Sequence, residues 1–323
     1  MADKQIRVGL LTSGGDAPGM NAVIRAVVRT ADHFGMQVYG IKAGYEGLFK
    51  GEVQPLDPKE VTGIIHKGGT ILRTARCLEM MTEEGQERAA NILKVLKLDA
   101  VVVIGGDGSF KGAQALSKYG VGVIGIPATI DLDMDCTEYT IGFDTAVNTA
   151  TEAIIRIRDT SSSHERCSVV EVMGRDAGHL ATWCGLTGGA EEVLIPEYPM
   201  DEDSVIAQIL SNRAEGKRHN LIVVAEGVGG SDALAKKIEK TLGIEARATI
   251  LGHLQRGGIP TALDRMHATV MGYMAAKAIQ EGDVNKAVVY RNGRHALIDL
   301  AEAIDAKEIY NPELYEITKI LAI

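Results

Sequence analysis

Basic excess, cysteine pairs, long apolar runs and linker composition are all missing from this sequence, and each absence narrows what it can be. With 34 Lys and Arg against 43 Asp and Glu, the formal net charge is −9. That argues against nucleic acid as a general partner, because backbone binding needs a basic surface. It leaves small anionic substrates open, since these need only a local group of Arg and Lys. The four cysteines, Cys77, Cys136, Cys167 and Cys184, form no CxxC pair. They match neither a disulfide framework nor a zinc site, and a reducing, cytoplasmic setting fits them. No apolar run approaches membrane-spanning length, and the first residues, charged and leading straight into a strand, do not read as a signal peptide. No Pro- or Ser-rich linker, low-complexity segment or fixed-period repeat is present. Walker A, GxSxG and HExxH patterns are absent too. One GxGxxG match, Gly120 to Gly125, falls in or just before a strand, whereas dinucleotide binding needs it between strand and helix.

What is present centres on Asp99 to Gly112, DAVVVIGGDGSFKG. Ala100 to Ile104 is a short β-branched run and reads as a buried parallel strand. Gly105-Gly106-Asp107-Gly108 is a glycine turn followed by Ser109, and from Phe110 to Lys118 the pattern is helical. Glycines between strand end and helix start let backbone N–H groups approach an anion, and the helix dipole adds to the attraction. An Asp beside phosphates suits Mg²⁺, which takes one or two carboxylates plus phosphate oxygens. The stretch therefore reads as a nucleotide–Mg²⁺ cradle, or more plainly as a tight turn with a solvated Asp. Ser13 to Gly19 repeats the design: strand Ile6 to Thr12, Gly-Gly-Asp, helix Met20 to Phe34. Two such turns can lie side by side at the carboxyl edge of one parallel sheet.

Strands and helices alternate along the rest of the chain, including a short helix expected over Pro58 to His66 and a strand from Val121 ended by Pro127. An Asn292-Gly293 turn follows the strand Ala287 to Tyr290. The class is α/β, and about ten strands suit two three-layer α/β/α domains with mainly parallel sheets and an active-site cleft between them. The crossings fall near Gly142 and Gly252. In Pro127 to Asp133, Thr129, Asp131 and Asp133 would share one side of an extended segment. Two carboxylates beside phosphate and metal can divide the work of base and ligand, although DLDMD also reads simply as an acidic loop. Arg166, Arg175, Arg247, His253 and Arg256 lie at or near strand ends, and the planar fork of Arg suits a phosphate dianion. These residues matter only if they converge, since a single surface Arg is ordinary.

In order along nearly the whole chain stand TSGGDAPGMNA (12–22), GGT and ARC (68–77), GGDGS (105–109), TID and Asp133 (129–133), TIGFDTA (140–146), RDTSSSHERC (158–167), VMGR (172–175), AEG (225–227) and RATILGHLQRGG (247–258). Together they resemble the bacterial-type ATP-dependent 6-phosphofructokinases. The resemblance implies a nucleotide-binding domain over 1–141 plus 253–304 and a sugar-phosphate domain over 142–252 plus 305–323. It implies that Gly15, Arg76, Cys77, Gly106, Asp107, Gly108 and Ser109 line the ATP site, with Mg²⁺ on Asp107. Asp131 would be the base toward the sugar's 1-hydroxyl, with Thr129 and Arg175 beside it. A carboxyl group of reference pKa about 3.9 is ionised at neutral pH and can accept that proton. Thr129, Ile130, Asp131, Met173, Gly174, Arg175, Glu226, His253 and Arg256 would hold fructose 6-phosphate. Arg166 and Arg247 would reach the 6-phosphate in a neighbouring subunit of a homotetramer.

Four features depart from the family's usual pattern. Ala128 and Leu132 stand in a segment that usually reads PGTIDND, and Leu132 is expected to be tolerated on the opposite face. Pyrophosphate-dependent relatives typically carry Lys at 128 and Asp at 108, so Ala128 and Gly108 favour ATP. Arg73 is bulkier than usual. The effector set implied for ADP or phosphoenolpyruvate is Arg25, Arg29, Arg158, Glu191, Lys217, Arg218 and His219, but Glu215 replaces a basic residue. Its carboxylate would repel phosphates and weaken any response, and Arg25 with Arg29 also fits one solvated helix face. The remaining alternatives are a pyrophosphate-dependent enzyme, an NAD or lipid kinase sharing a GGDG turn, and a non-catalytic nucleotide-binding subunit.

Overall fold

The computed structural model describes residues 5–199, 201–307 and 311–322. Its elements begin with β1 (Arg7–Thr12), α1 (Met20–His33), β2 (Gln37–Ile41), α2 (Gly44–Phe49), β3 (Val53–Leu56), α3 (Glu83–Val95), β4 (Ala100–Gly105), α4 (Asp107–Lys118), β5 (Gly122–Thr129) and β6 (Ile141–Gly142). There follow α5 (Phe143–His164), β7 (Cys167–Val172), α6 (His179–Gly188), β8 (Glu192–Leu194), α7 (Glu202–Ala214), β9 (Asn220–Ala225), α8 (Ser231–Leu242) and β10 (Ala246–Ile250). The last are α9 (Ala262–Glu281), β11 (Lys286–Arg291), β12 (Arg294–Asp299), α10 (Leu300–Asp305) and α11 (Pro312–Ile320). No helix among the described residues is long and apolar enough to cross a membrane.

The chain divides into two compact units. The first takes the described residues up to Thr129, Met134–Asp144 and those of Arg256–Ile309. The second takes Ile130–Asp133, Thr145–Gln255 and the described residues of Tyr310–Ile323. In the first unit the sheet order is β12-β11-β5-β4-β1-β2-β3, with β6 beside β5. All pairs are parallel except β2–β3 and β11–β12. Alternate residues of a strand face opposite sides of the sheet. Leu11, Val101, Val103, Val123, Ala287 and Val289 thus form one core with side chains of α2, α3, α4 and α10. Their neighbours Leu10, Val102, Ile104, Ile124 and Val288 are just as buried on the other side, where α1 and α9 pack. Gly272 permits that packing, because a Cβ there would come within 2.7 Å of Ala26 Cβ.

The second unit repeats three layers around a parallel sheet of order β10-β7-β9-β8. Cys167, Val169, Ile222, Val224 and Ala246 meet α7 and α8 through Val205, Ile209, Leu234 and Ile238. Each such Val, Leu or Ile side chain contributes roughly 1.5–3 kcal/mol on burial. All four cysteines are free thiols. Burial raises Cys136 to about 11 and both Cys167 and Cys184 to about 12.

Two local expectations fail. Residues 58–66 form successive turns with no helix. Asp57 accounts for the start, since its Oδ1 accepts from the N–H groups of Lys59 and Glu60 and closes a side-chain-capped turn. The strand β5 does not stop before Pro127 but runs through it to Thr129. β11 pairs with β5 only at Ile124 and Gly125, so Pro127 lies beyond that ladder. The Asn292-Gly293 turn is present, with both residues at positive φ as a type I′ hairpin requires.

A histidine pair lies under this hairpin. His267 on α9 is 3% exposed, stacked on Tyr139 at 3.9 Å, and its Nδ1 is 2.9 Å from His295 Nε2. Burial, then the neighbouring His295, push His267 down to about 4. The unfolded chain, with an ordinary His near 6.5, binds a proton between those values that the folded chain refuses. Acidification from pH 7 to 5 should therefore cost roughly 1–2 kcal/mol of stability. The cost should shrink in His267→Gln, which can be checked by urea unfolding at both pH values.

Candidate functional site

Two glycine turns meet at the carboxyl ends of neighbouring strands in the first unit. β1 and β4 are paired so that Thr12 stands beside Ile104, and Ser13 N–H donates to Ile104 O at 2.9 Å. The turn after β1 needs Gly14 and Gly19, both at positive φ. The turn after β4 needs Gly105, because a Cβ there would collide with Ser13 O and Ser109 Oγ. The helix α4 starts at Asp107, earlier than its periodicity indicates, so Gly106 is the residue at its threshold. Ser109 N–H donates to Gly106 O at 3.0 Å, which leaves the N–H groups of Asp107 and Gly108 in that first turn as the donors a phosphate would meet. A Cβ on Gly108 would meet nothing within 4 Å, so the space beside it is open.

The loop carrying Arg73, Arg76 and Cys77 is held against this edge by residues that sequence reasoning did not single out. Thr12 Oγ1 donates to Arg73 O at 2.8 Å and lies 3.0 Å from Thr70 Oγ1. Buried Asn21 on α1 bonds Lys67 O, Gly68 O and Ile71 N–H. Thr74 Oγ1 donates to Gly14 O at 2.6 Å. Arg73 itself is exposed and has φ +58°, and nothing in the structure explains a bulky cation there. Arg76 is exposed, and burial raises the partly covered Cys77 thiol, which keeps it protonated and unreactive. The guanidinium of Arg256 lies over Gly15, where an added Cβ would sit 3.4 Å from its Cζ. Asp107 carries a partner of its own, since Lys111 Nζ is 2.7 Å from its Oδ2.

In the second unit, β7 and β9 end side by side, Val172 opposite Ala225, and their following residues form a second group. Glu226 N–H donates to Val172 O, and Glu226 Oε1 accepts from the Arg175 N–H at 2.7 Å. That clamp holds Arg175 at φ +60°, against Gly227, where a Cβ would strike Arg175 O. Gln255, fully buried, accepts from Met173 N–H at 3.2 Å and donates to Gly252 O. Gly174 is at φ +133°. Arg175 then reaches Asp133, Nη1 to Oδ2 at 3.4 Å, while Asp131 is buried. Ile130 is buried next to it, and His253 falls in the 3₁₀ segment Gly252–Arg256.

The extended reading of Thr129 to Asp133 needs correction. β5 ends at Thr129, residues 130 and 131 bend, and Leu132 adopts φ +56°. A left-handed residue breaks the alternation that would have put both carboxylates on one side. The basic residues also separate into groups. Arg166 precedes β7 and Arg247 is the second residue of β10, so both sit at the amino end of their sheet, away from Arg175 and Glu226. They converge on Glu245, whose carboxylate lies 2.5 Å from Arg166 Nε and 2.9 Å from Arg247 Nη2.

Of the effector set, Glu191 is buried, accepts from Leu221 N–H and pairs with Lys217 Nζ at 2.8 Å. Arg158 donates to Gly188 O at 2.8 Å, and Arg218 lies 3.5 Å from Glu165. His219 and the exposed Glu215 follow and end α7 in the same unit. Arg25 and Arg29 lie on α1 in the first unit, where burial and then Arg29 lower the Arg25 pKa.

The phosphofructokinase family model matches residues 7–279. The ATP-dependent 6-phosphofructokinase 1 of Clostridium perfringens is 54% identical over 315 residues, 98% of this chain and 99% of that protein. The ATP-dependent 6-phosphofructokinase of Clostridium novyi is 55% identical over the same shares. Phosphofructokinase from Saccharomyces cerevisiae superposes with a TM-score of 0.89 at 32% identity, covering 97% of this chain, which spans half of the yeast one. The pyrophosphate-dependent phosphofructokinase from Marinobacter aquaeolei shares the fold, with a TM-score of 0.85 at 21% identity over 95% of this chain and 86% of that one.

Position 132 yields a direct test. A Leu in the left-handed region is disfavoured by about 1 kcal/mol against residues that tolerate it, Asn among them. Leu132→Asn should stabilise the protein by roughly 0.5–1 kcal/mol, measured by urea unfolding, whereas Leu132→Val should destabilise it by a similar amount.

Proposed function

The chain belongs to the phosphofructokinase family, and from that premise we propose that it transfers the γ-phosphate of ATP to the 1-hydroxyl of fructose 6-phosphate, giving fructose 1,6-bisphosphate. The observation that carries the donor side is the joining of two glycine turns at the ends of β1 and β4, with open space beside Gly108. Phosphoryl transfer asks for positioning and charge neutralisation more than for covalent chemistry. Backbone donors at Asp107 and Gly108, lined by Gly106, Ser109 and, in the neighbouring turn, Gly15, supply the first with no Cβ at the glycines in the way. Arg76 and Cys77 extend the nucleotide side. Small residues at Ala128 and Gly108 favour a nucleotide over pyrophosphate.

The residues fit a metal that travels with its nucleotide. Among the described residues no group of three or more His, Cys, Asp or Glu could hold an ion alone. Asp107, 40% exposed at the start of α4, supplies the single carboxylate that Mg²⁺ combines with phosphate oxygens. When bound, Mg²⁺ neutralises phosphate charge. Asp131 accepts the proton of the 1-hydroxyl, and Thr129, at the end of β5, leads the chain into that bend. Arg175, Met173, Gly174, Glu226 and Ile130 hold the sugar phosphate, with His253 and Arg256 completing the set. The clamp from Glu226 to the Arg175 N–H presets the left-handed backbone, so binding does not have to impose it.

The nucleotide-binding domain is then 1–141 plus 253–304, and the sugar-phosphate domain 142–252 plus 305–323. Arg166 and Arg247, paired at the amino end of their sheet, serve the 6-phosphate of a neighbouring subunit in a homotetramer. Arg25, Arg29, Arg158, Glu191, Lys217, Arg218 and His219 form an effector site for ADP or phosphoenolpyruvate, weakened by Glu215. The enzyme works in the cytoplasm, which suits its four free thiols.

Initial rates with fructose 6-phosphate and Mg²⁺ should show turnover with ATP and none with pyrophosphate. Turnover with pyrophosphate instead would mean that the donor side is misassigned while the sugar side stands. Asp131→Ser should lower kcat by roughly 10²–10⁴ with ATP binding nearly intact. An unchanged kcat would remove Asp131 from the role of base.

A further inference from the structure

Lys111 stands one helical turn after Asp107 on α4 and is turned back toward the start of the helix, its Nζ 2.7 Å from Asp107 Oδ2. An ammonium group there is unusual on local grounds. The amino terminus of a helix already carries partial positive charge and disfavours a further cation. The pair contributes little to stability, because an exposed i,i+4 ion pair gains little over its two solvated partners. Its side chains are 62% and 40% exposed, so solvent competes for both partners. The importance of the pair lies in where it sits. Asp107 begins the helix whose first turn leaves its own N–H and that of Gly108 for an anion, and beside it Gly108 leaves open space.

A bare carboxylate at that position would repel an approaching triphosphate that has no metal. With the ammonium on it the pair is neutral, and two further N–H donors of Lys111 remain to meet phosphate oxygens. A divalent cation competes for the same carboxylate and can displace the ammonium cheaply, because the pair is exposed. We propose that Lys111 is the exchangeable counter-ion of Asp107. It occupies the carboxylate when no metal is present and yields it when Mg²⁺ arrives with the nucleotide. The donor site thereby accepts free nucleoside triphosphate as well as its Mg²⁺ complex. The proposal rests on the donor-site reading given above and concerns which charge form of the nucleotide the site takes.

Calorimetric titration of ATP in EDTA and in excess Mg²⁺, on the intact protein, tests it with Lys111→Met and Lys111→Arg. Lys111→Met should weaken metal-free ATP about five- to tenfold, the loss of one charged hydrogen bond with repulsion left behind. It should leave the Mg²⁺ complex within about twofold, since exchange removes the ammonium from the carboxylate there. Lys111→Arg should restore metal-free binding. Equal weakening of both forms would make Lys111 an ordinary phosphate contact, and no change in either would reduce it to a solvated helix pair; both results overturn the exchange. Wild-type protein that binds ATP in neither buffer would overturn the donor-site reading itself, and the exchange with it.

Discussion

A single buried carboxylate ties together the parts of the first unit on which its functional edge depends. Asp264, fully buried in the first turn of α9, accepts from Tyr139 Oη at 2.6 Å and from Gly142 N–H at 2.7 Å. Its own N–H is capped by Thr261. A buried charge with one partner removed costs several kcal/mol, so these donors are obligatory. Burial and then the carboxylate raise the Tyr139 phenol far above its usual range, which keeps it a donor. Gly142 pairs with Thr129 and Ile141 with Ala128, so the carboxylate fixes the end of β5 from which the chain enters the Asp131 bend. Ile141 also fills the space over Gly19, where a Cβ would come within 2.5 Å of it. One charge thus sets the turn after β1 and the end of β5 together.

The parts legible in the sequence were those written in contiguous residues. The strands around VVVIG and IRVGLL, the glycine turns after them and the hairpin at Asn292-Gly293 follow from local sterics and period, and the structure has all of them. Two parallel strands that each end in Gly-Gly-Asp have few ways to be neighbours, so the meeting of the two turns was legible as well. What was not legible depends on residues far apart. Asn21 holds backbone some fifty positions away, and Gln255 reaches Met173 across the fold of its unit. No spacing rule encodes such bonds. The left-handed state of Leu132 was hidden because its side chain argues against it, and the turns over 58–66 because Asp57 outcompetes a weak helical pattern from outside it. The grouping of Arg166 with Arg247 needed the sheet order, since strand ends in a sequence do not say which end of the sheet they occupy.

Cations in this acidic chain are stationed on carboxylates. Lys111 rests on Asp107, Arg175 on Asp133, Arg166 and Arg247 on Glu245, and Lys217 on Glu191. Mostly exposed pairs of this kind add little to stability. What they do is hold long side chains near one geometry without a ligand, which lowers the entropy lost when an anion binds. The buried Glu191 differs, because removing Lys217 would leave its charge largely uncompensated in the interior.

The interleaving of the two units along the chain bears on how the protein is made. β5 is complete at Thr129, but β11, its partner on one side, begins at Lys286. At a synthesis rate of about 5–20 residues per second, roughly 8–30 s separate the two on a ribosome. During that interval the second unit can assemble from a nearly continuous stretch, while the first holds an apolar sheet with an open edge. Such an edge recruits other strands, and long-range closure is slow in itself. The nascent chain is therefore most prone to aggregate between the completion of β5 and the arrival of β11, with α11 of the second unit later still, and that interval is the one chaperones would have the most reason to cover.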